Sequence, residues 1–311
     1  CRFERFEGVS MVIGRFAASL MALAALVAMR GAAPAQDKVR FLSFFDNGAG
    51  KSPTTLDGYL FQGSGPAPRP AIVFLHGCWG MFDAPGRISS TQLEWARVLN
   101  KAGNDVLMVD SNTPRGVKEL CSSESFQLPL YLRRLNDAYG ALEYLQTRND
   151  VRGDRVGLMG WDAGGGVALL TIAKHGLVKA PDLLKGDFRA AVMLYPALCA
   201  DRYFVKPWAD ADTPTWTSKV PVLILDGGRD VWTPAKQCKT FVDGAIARGA
   251  KVELKIYPRA YHAFDAPHLK PVKFPRYAQP QNVVPVLGTD PAGRRDAMKR
   301  VPAFLAEYLG K

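Results

Sequence analysis

The feature that most constrains the fold of this chain is a series of short apolar runs separated by longer stretches with helical periodicity. The runs are nearly continuous rather than alternating, as strands must be when helices cover both faces of a parallel sheet. Buried strands are predicted at 71–75, 105–109, 156–159, 190–194, 220–225 and 252–257, and helices at 91–101, 129–146, 164–174, 234–248 and 302–309. Several of these helices open with proline in the first turn, where its missing N–H costs nothing.

This order predicts one α/β domain built on a doubly wound, mostly parallel sheet. Residues 39–45 and 59–62 are predicted to form an antiparallel pair at its start. Residues 266–294 are rich in proline and lack periodicity, which indicates an extended surface segment rather than a domain boundary. Functional loops are expected at the carboxyl ends of the parallel strands.

The composition is that of an ordinary globular protein. Of 311 residues, 48% are hydrophobic and 22% charged, which excludes a disordered chain or a collagen-like repeat. The net charge is +11, but the basic residues are scattered and form no long block interleaved with aromatic residues. We therefore expect no nucleic-acid partner. A monomer is the default expectation.

The N-terminal segment has the pattern of a secretory signal peptide. Arg15 precedes an apolar run over residues 16–29, and residues 33–35 (APA) place small side chains just before Gln36. The apolar run is shorter than the roughly 20 residues of a membrane span, although an uncleaved anchor is the alternative. We expect residues 1–35 to be upstream sequence plus signal peptide. The domain of residues 36–311 is then exported, periplasmic or secreted, without stable membrane association.

Four cysteines lie in the predicted mature chain, an even number in an oxidising compartment. They allow three disulfide pairings, of which we favour Cys78–Cys121 with Cys199–Cys238. Four buried thiols are the alternative. There is no CxxC motif and no Cys/His cluster at zinc spacing, so no metal site is predicted.

The clearest chemical motif follows the predicted strand 156–159. Residues 160–166 read GWDAGGG and open a helix, which is the form of a nucleophile elbow, with Asp162 at its centre. The helix dipole favours negative charge at this position. The alternative interpretation is a glycine-rich helix start with an aspartate N-cap.

Three other strand ends complete a pattern. Asp230 follows strand 220–225 and His262 follows strand 252–257, so the chain order is elbow, acid, histidine. Alone, Asp230 could simply cap a helix and His262 could be a solvated loop residue. The turn of residues 76–80 (HGCWG) follows the first parallel strand, and its glycines let backbone N–H groups approach an oxyanion.

The segments FLHGCWG, LMGWDAGGG, LILDGGRDVWTP and YPRAYHAFD, in this order, resemble those of the dienelactone hydrolase family of α/β-hydrolases. The similarity runs from about Val39 to Leu309 and is greatest to the exported, cysteine-containing branch. It implies a single α/β-hydrolase domain without a large lid. It also implies hydrolysis of small-molecule esters or lactones with no metal or organic cofactor.

The resemblance also assigns roles to individual residues. The nucleophile position falls on Asp162, the acid on Asp230 and the base on His262. The oxyanion hole falls on the backbone amides of Cys78 and Ala163. Candidate pocket residues beside these are His76, Trp79 and Trp161.

Asp162 departs from the family pattern, which has serine or cysteine at the elbow. A carboxylate that attacks an ester carbonyl gives a mixed anhydride, which is less stable than the ester. Aspartate is better suited to attack a saturated carbon, as in the haloalkane dehalogenases and epoxide hydrolases that this arrangement also resembles. The dehalogenase family has tryptophan directly after its aspartate, whereas this chain has Ala163. No lid tyrosines of the epoxide hydrolase kind are identified.

Three hypotheses therefore stand. The first is ester or lactone hydrolysis with Asp162 as nucleophile or as base for water. The second is dehalogenation or epoxide opening through an alkyl ester of Asp162. The third is a catalytically silent binding relative. Ester turnover, halide or diol release, and ligand binding without turnover separate them. A buried carboxylate near Asp230 would raise the pKa of one of these two carboxylates, which leaves open whether His262 pairs as the family pattern implies.

Overall fold

The computed structural model describes residues 36–44, 53–84, 86–122, 128–174, 182–206 and 212–310. The predicted signal segment lies outside the described residues. The strands are β1 (Gln36–Leu42), β2 (Thr55–Phe61), β3 (Arg69–Leu75), β4 (Phe82–Ala84), β5 (Arg87–Ile88), β6 (Asp105–Asp110), β7 (Val151–Trp161), β8 (Ala190–Leu194), β9 (Val222–Gly227), β10 (Val252–Tyr257), β11 (Val272–Lys273) and β12 (Val286–Leu287). The helices are α1 (Ser90–Lys101), α2 (Leu128–Thr147), α3 (Ala163–Thr171), α4 (Ala235–Ala247) and α5 (Pro291–Leu309).

Within the described ranges, eight strands form one sheet in the order β1-β2-β6-β3-β7-β8-β9-β10. The β1–β2 and β2–β6 pairs are antiparallel, and every later pair is parallel. The predicted fold class and the opening antiparallel pair are therefore confirmed. In the register of β3 with β7, Leu75 lies opposite Gly160. This places the turn after β3 beside the turn after β7, where the elbow lies.

Both faces of the sheet are covered, which explains the continuous apolar runs. Along β3, Val73 packs in one core cluster with α2, α3 and α4, whereas Ile72 and Phe74 pack in the other with α1 and α5. All three side chains are buried. Burying an aliphatic or aromatic side chain of this size contributes about 1.5–3 kcal/mol. A polar residue in these runs would face a helix on either side.

The last helix is longer than predicted. We expected a helix over residues 302–309 after an extended segment, but α5 begins at Pro291. Asp290 caps it, accepting a hydrogen bond from the Gly293 N–H at 2.7 Å, so Pro291 is the proline of the first turn. Pro302 lies inside the helix, where it removes a single backbone donor. Among the described residues, no helix is long and apolar enough to cross a membrane.

Candidate active site

The elbow between β7 and α3 is a tight, strained turn. Asp162 has φ 48° and ψ −116°, a left-handed conformation that residues with a Cβ rarely adopt. A Cβ on Gly164 would lie 2.0 Å from the Leu75 carbonyl oxygen, and one on Gly160 would lie 2.3 Å from the carbonyl oxygen of Gly164. Glycine is required at both positions for the turn to close. The Asp162 carbonyl accepts hydrogen bonds from the N–H groups of Gly166 and Ala197, which hold the turn.

The Asp162 carboxylate points into the turn that follows β3. Its Oδ2 accepts a hydrogen bond from the Cys78 N–H at 2.8 Å. Ala163 is buried and starts α3 directly after Asp162, and the first N–H groups of a helix have no partner within it. Among the described residues, no hydrogen bond joins the Asp162 carboxylate to His262. One of the two predicted oxyanion donors is therefore already bonded to the elbow side chain.

His262 and Asp230 form a buried pair. The Nδ1 of His262 lies 2.7 Å from Asp230 Oδ2, and both side chains are almost completely enclosed. The other oxygen of Asp230 accepts the N–H groups of Trp232 (2.7 Å) and Thr233 (3.0 Å). The Thr233 hydroxyl donates to Asp230 Oδ2 at 2.8 Å. These bonds fix Asp230 at the turn between β9 and α4, and His262 pairs with Asp230 rather than with Asp162.

Charge around His262 favours its protonated form. Burial lowers the pKa of His262, but the negative charges of Asp230, Asp162 and Asp226 outweigh burial, so its pKa is raised above the ordinary value. Asp226 is the penultimate residue of β9 and is itself enclosed. Burial, followed by the charge of Asp230, raises the pKa of Asp226 well above its usual range. Both effects favour the protonated form of Asp226. Its Oδ2 has no hydrogen-bond partner among the residues that the structure describes.

Asp162 lies where two cavities meet. The larger has a volume of about 610 Å³ and is lined on one side by Cys78 and Tyr131 and on the other by Asp230 and Trp232. The smaller, of about 220 Å³, is lined by Trp79, Trp161, Tyr195 and His262 among others. Asp162 is the elbow residue that both cavities share.

Of the three predicted pocket residues, the two tryptophans line the smaller cavity and His76 lines neither cavity. The buried His76 ring donates from Nδ1 to the Gly77 carbonyl at 2.8 Å and accepts the Ser111 N–H at Nε2. Arg134 donates to the His76 carbonyl. Burial and the charge of Arg134 lower the pKa of His76 well below its usual value, so the ring is neutral. His76 supports the turn that presents Cys78.

Asp265 is a site residue that the sequence reasoning missed. Its fully buried carboxylate accepts hydrogen bonds from Trp161 Nε1 at 2.9 Å and from the Tyr195 hydroxyl at 2.8 Å. The Tyr195 ring packs on the His262 ring with centroids 4.5 Å apart. Asp265 thus connects Trp161, which lies directly before the elbow residue, to Tyr195, whose ring packs against His262. Its place three residues after His262 was the available signal, but its partners lie far away in the sequence.

The segment of residues 266–290 contributes more to the site than the sequence indicates. We expected an extended surface segment, but its residues line both cavities: Gln279, Gln281 and Val283 line the larger, and Leu269 and Leu287 the smaller. Its Tyr277 stacks on Trp232, with ring centroids 5.3 Å apart, and accepts a hydrogen bond from Trp79 Nε1 at 3.3 Å. Short strands β11 and β12 hold the segment in place.

Both favoured disulfides are present. Cys78 is bonded to Cys121 and Cys199 to Cys238. All four cysteines line the larger cavity. The Cys78–Cys121 bond joins the turn that carries the hydrogen-bond donor for Asp162 to the chain after β6, and the Leu120 N–H also donates to the Cys78 carbonyl at 2.8 Å. This turn is therefore fastened both covalently and by backbone bonding.

Comparison with known proteins gives the same family that the sequence motifs resemble. The model of the dienelactone hydrolase family matches residues 56–309. A probable 2-oxo-3-(5-oxofuran-2-ylidene)propanoate lactonase from Bradyrhizobium sp is 29% identical over 171 residues, or 53% of this chain and 64% of the relative. A putative carboxymethylenebutenolidase from Salmonella typhimurium is 30% identical over 125 residues, or 40% of each chain. The matches thus span less than two thirds of these relatives.

The fold also matches solved structures. The crystal structure of a dienelactone hydrolase-like promiscuous phosphotriesterase from metagenomic libraries superposes with a TM-score of 0.63 at 18% identity. The superposition covers 89% of this chain and 99% of that one. At this identity the likeness establishes the fold.

Proposed function

The chain belongs to the dienelactone hydrolase family, and from this premise we propose that it hydrolyses carboxylic esters or lactones at the site of Asp162, Asp230 and His262. The observation that carries the proposal is the buried His262–Asp230 pair, 2.7 Å apart, beside a strained elbow. Relatives named as a lactonase and a carboxymethylenebutenolidase support the substrate class. Two cavities that meet at Asp162 give room for the two halves of an ester.

In this proposal His262 is the general base for water. Its Nδ1–H donates to Asp230, which holds the ring in one tautomer and leaves Nε2 to take a proton from water. Thr233 keeps the Asp230 carboxylate in place. Asp162 stands where the family has its serine or cysteine, and its carboxylate accepts the Cys78 N–H.

One observation favours a second candidate, alkyl transfer to Asp162 from a halide or an epoxide. The hydrogen bond from the Cys78 N–H fixes the orientation of the Asp162 carboxylate, and a carboxylate nucleophile needs a fixed orientation. Halide displacement, however, requires donors for the leaving ion. The indole N–H groups of Trp161 and Trp79 instead donate hydrogen bonds to Asp265 and Tyr277, respectively. Ester or lactone hydrolysis is therefore the function that the site supports best.

We also propose that the protein acts outside the cytoplasm, as a monomer. Two disulfides at the cavity wall are compatible with an oxidising compartment.

The proposal is tested by titrating the acid released from benzyl acetate, phenyl acetate and a simple lactone at constant pH. The parent is compared with His262→Gln, which keeps a polar side chain but removes the base. We expect turnover by the parent and a loss of about 10²–10⁴-fold in the variant. If the parent releases no acid while Asp162→Ser does, the chain is a silent relative and the proposal fails.

A further inference from the structure

The Asp162 carboxylate occupies the place that an ester carbonyl oxygen would need. In acyl transfer, the substrate oxygen becomes negative and must lie against the backbone donors at the elbow. Here Asp162 Oδ2 already accepts the Cys78 N–H at 2.8 Å. The Gly77 backbone closes over the same oxygen, since a Cβ on Gly77 would lie 3.3 Å from it. An ester cannot use this donor while Asp162 holds it.

The same contact suits a different reaction. If Asp162 carried an alkyl group as an ester, hydrolysis of that ester would place the oxyanion on Asp162 Oδ2 itself. That oxygen is already at hydrogen-bonding distance from the Cys78 N–H, so the donor is in position before the charge develops. The other oxygen, Oδ1, has no hydrogen bond to any described residue and belongs to a side chain that borders both cavities.

We propose that Asp162 opens its ester or lactone substrates by attack at the saturated carbon of the alcohol half, so that the alkyl–oxygen bond breaks rather than the acyl–oxygen bond. The inference rests on the proposed function and adds the bond cleaved and the substrate class. Suitable substrates have an accessible primary, allylic or benzylic carbon bound to the ester oxygen. Phenyl esters are excluded because their oxygen is bound to a ring carbon.

The first step conserves atoms and charge. Asp162 Oδ1 donates an electron pair to the saturated carbon, and the substrate carboxylate leaves with the electrons of the broken carbon–oxygen bond. The leaving carboxylate spreads its charge over two oxygens and needs no oxyanion hole. The product of this step is an alkyl ester of Asp162. No mixed anhydride forms, which removes the difficulty of a carboxylate nucleophile at an acyl carbon.

The second step uses His262. It takes a proton from water, and the hydroxide attacks the carboxyl carbon of Asp162 while the Cys78 N–H stabilises the negative Oδ2. The tetrahedral adduct collapses, the alkoxide leaves, and His262 returns the proton to it. His262 and Asp162 both line the smaller cavity, so water for this step is placed there. The alkyl group then lies in the larger cavity.

Oxygen labelling tests the inference directly. The parent hydrolyses benzyl acetate over many turnovers in H₂¹⁸O, and both products are analysed by mass spectrometry. The label enters the Asp162 carboxylate and leaves in the next alcohol, so we expect ¹⁸O in benzyl alcohol and none in acetate. Label in acetate alone overturns the inference and leaves the proposed function standing. Absence of both products overturns the two together.

A trapped intermediate gives a second readout. In His262→Gln the Asp162 ester forms but is not hydrolysed, and the intact protein should be heavier by the benzyl group, mapped to the peptide of Asp162. Asp162→Asn is the control and should carry no benzyl group. An acetyl adduct, or no adduct, overturns the inference. As a substrate control, the parent should prefer benzyl over phenyl acetate, although phenolate is the better leaving group, and Asp162→Ser should reverse that preference.

Discussion

Removing the Cys78–Cys121 disulfide should cost both stability and activity, whereas removing Cys199–Cys238 should cost mainly stability. The two bonds close loops of nearly equal length, with sequence separations of 43 and 39 residues. The chain-entropy estimate for loops of this size is about 4 kcal/mol each. The paired variants, with both cysteines of one bond replaced by alanine, should therefore lose similar free energies of unfolding in urea titrations.

The two paired variants should differ in activity. Cys78 carries the N–H that donates to Asp162, and its bond to Cys121 fastens that turn. Complete removal of one oxyanion donor costs about 10²–10³ in kcat, so loosening the turn should lower kcat for benzyl acetate by about tenfold or more. The Cys199→Ala/Cys238→Ala protein is the matched control. Rates are compared at a temperature where both variants are folded. Equal rates in the two variants would refute the role given to the turn.

Three further predictions concern the elbow and His262. Gly164→Ala should lower the free energy of unfolding in urea by about 3 kcal/mol, because its Cβ would meet the Leu75 carbonyl at 2.0 Å. Gly244→Ala, whose Cβ in the last turn of α4 would meet only the Arg248 guanidinium at 3.1 Å, should change that free energy by less than about 1 kcal/mol. Asp230→Asn should lower the pKa of His262, measured by NMR of the imidazole, because less negative charge then opposes the lowering of the pKa by burial. An unchanged pKa would contradict the pairing of His262 with Asp230. Since His262 must be neutral to act as a base and its pKa is raised above 6.5, hydrolysis should increase with pH through a value above 6.5, and a rate already at its plateau below that pH would contradict the role of His262.

The order of elements and the elbow could be predicted because local sequence determines them. Strand 156–159 and the glycines of residues 160–166 appear in β7 and at the start of α3, and the Gly160–Leu75 register follows from parallel pairing. The length of α5 is harder to predict, because Pro302 also suits the first turn of a helix; in the structure Asp290 and Pro291 form that start.

Contacts between distant residues could not be predicted. Asp265 and its donor Trp161 are separated by 104 positions, and nothing in either segment alone reports the bond. The segment of residues 266–290 lacks periodicity because it is held by aromatic contacts and short strands rather than by a helix. The hydrogen bond from Cys78 to Asp162 likewise required the two turns to be brought together.

The measurement that tests the central claim most directly is the rate of benzyl acetate hydrolysis by the parent and by Asp162→Asn, purified in parallel. Asparagine keeps the size of the side chain and an oxygen that can accept the Cys78 N–H, but it is not a carboxylate nucleophile. We predict turnover by the parent and none above background by the variant. Equal rates would show that the elbow carboxylate plays no part in the chemistry and would contradict the account.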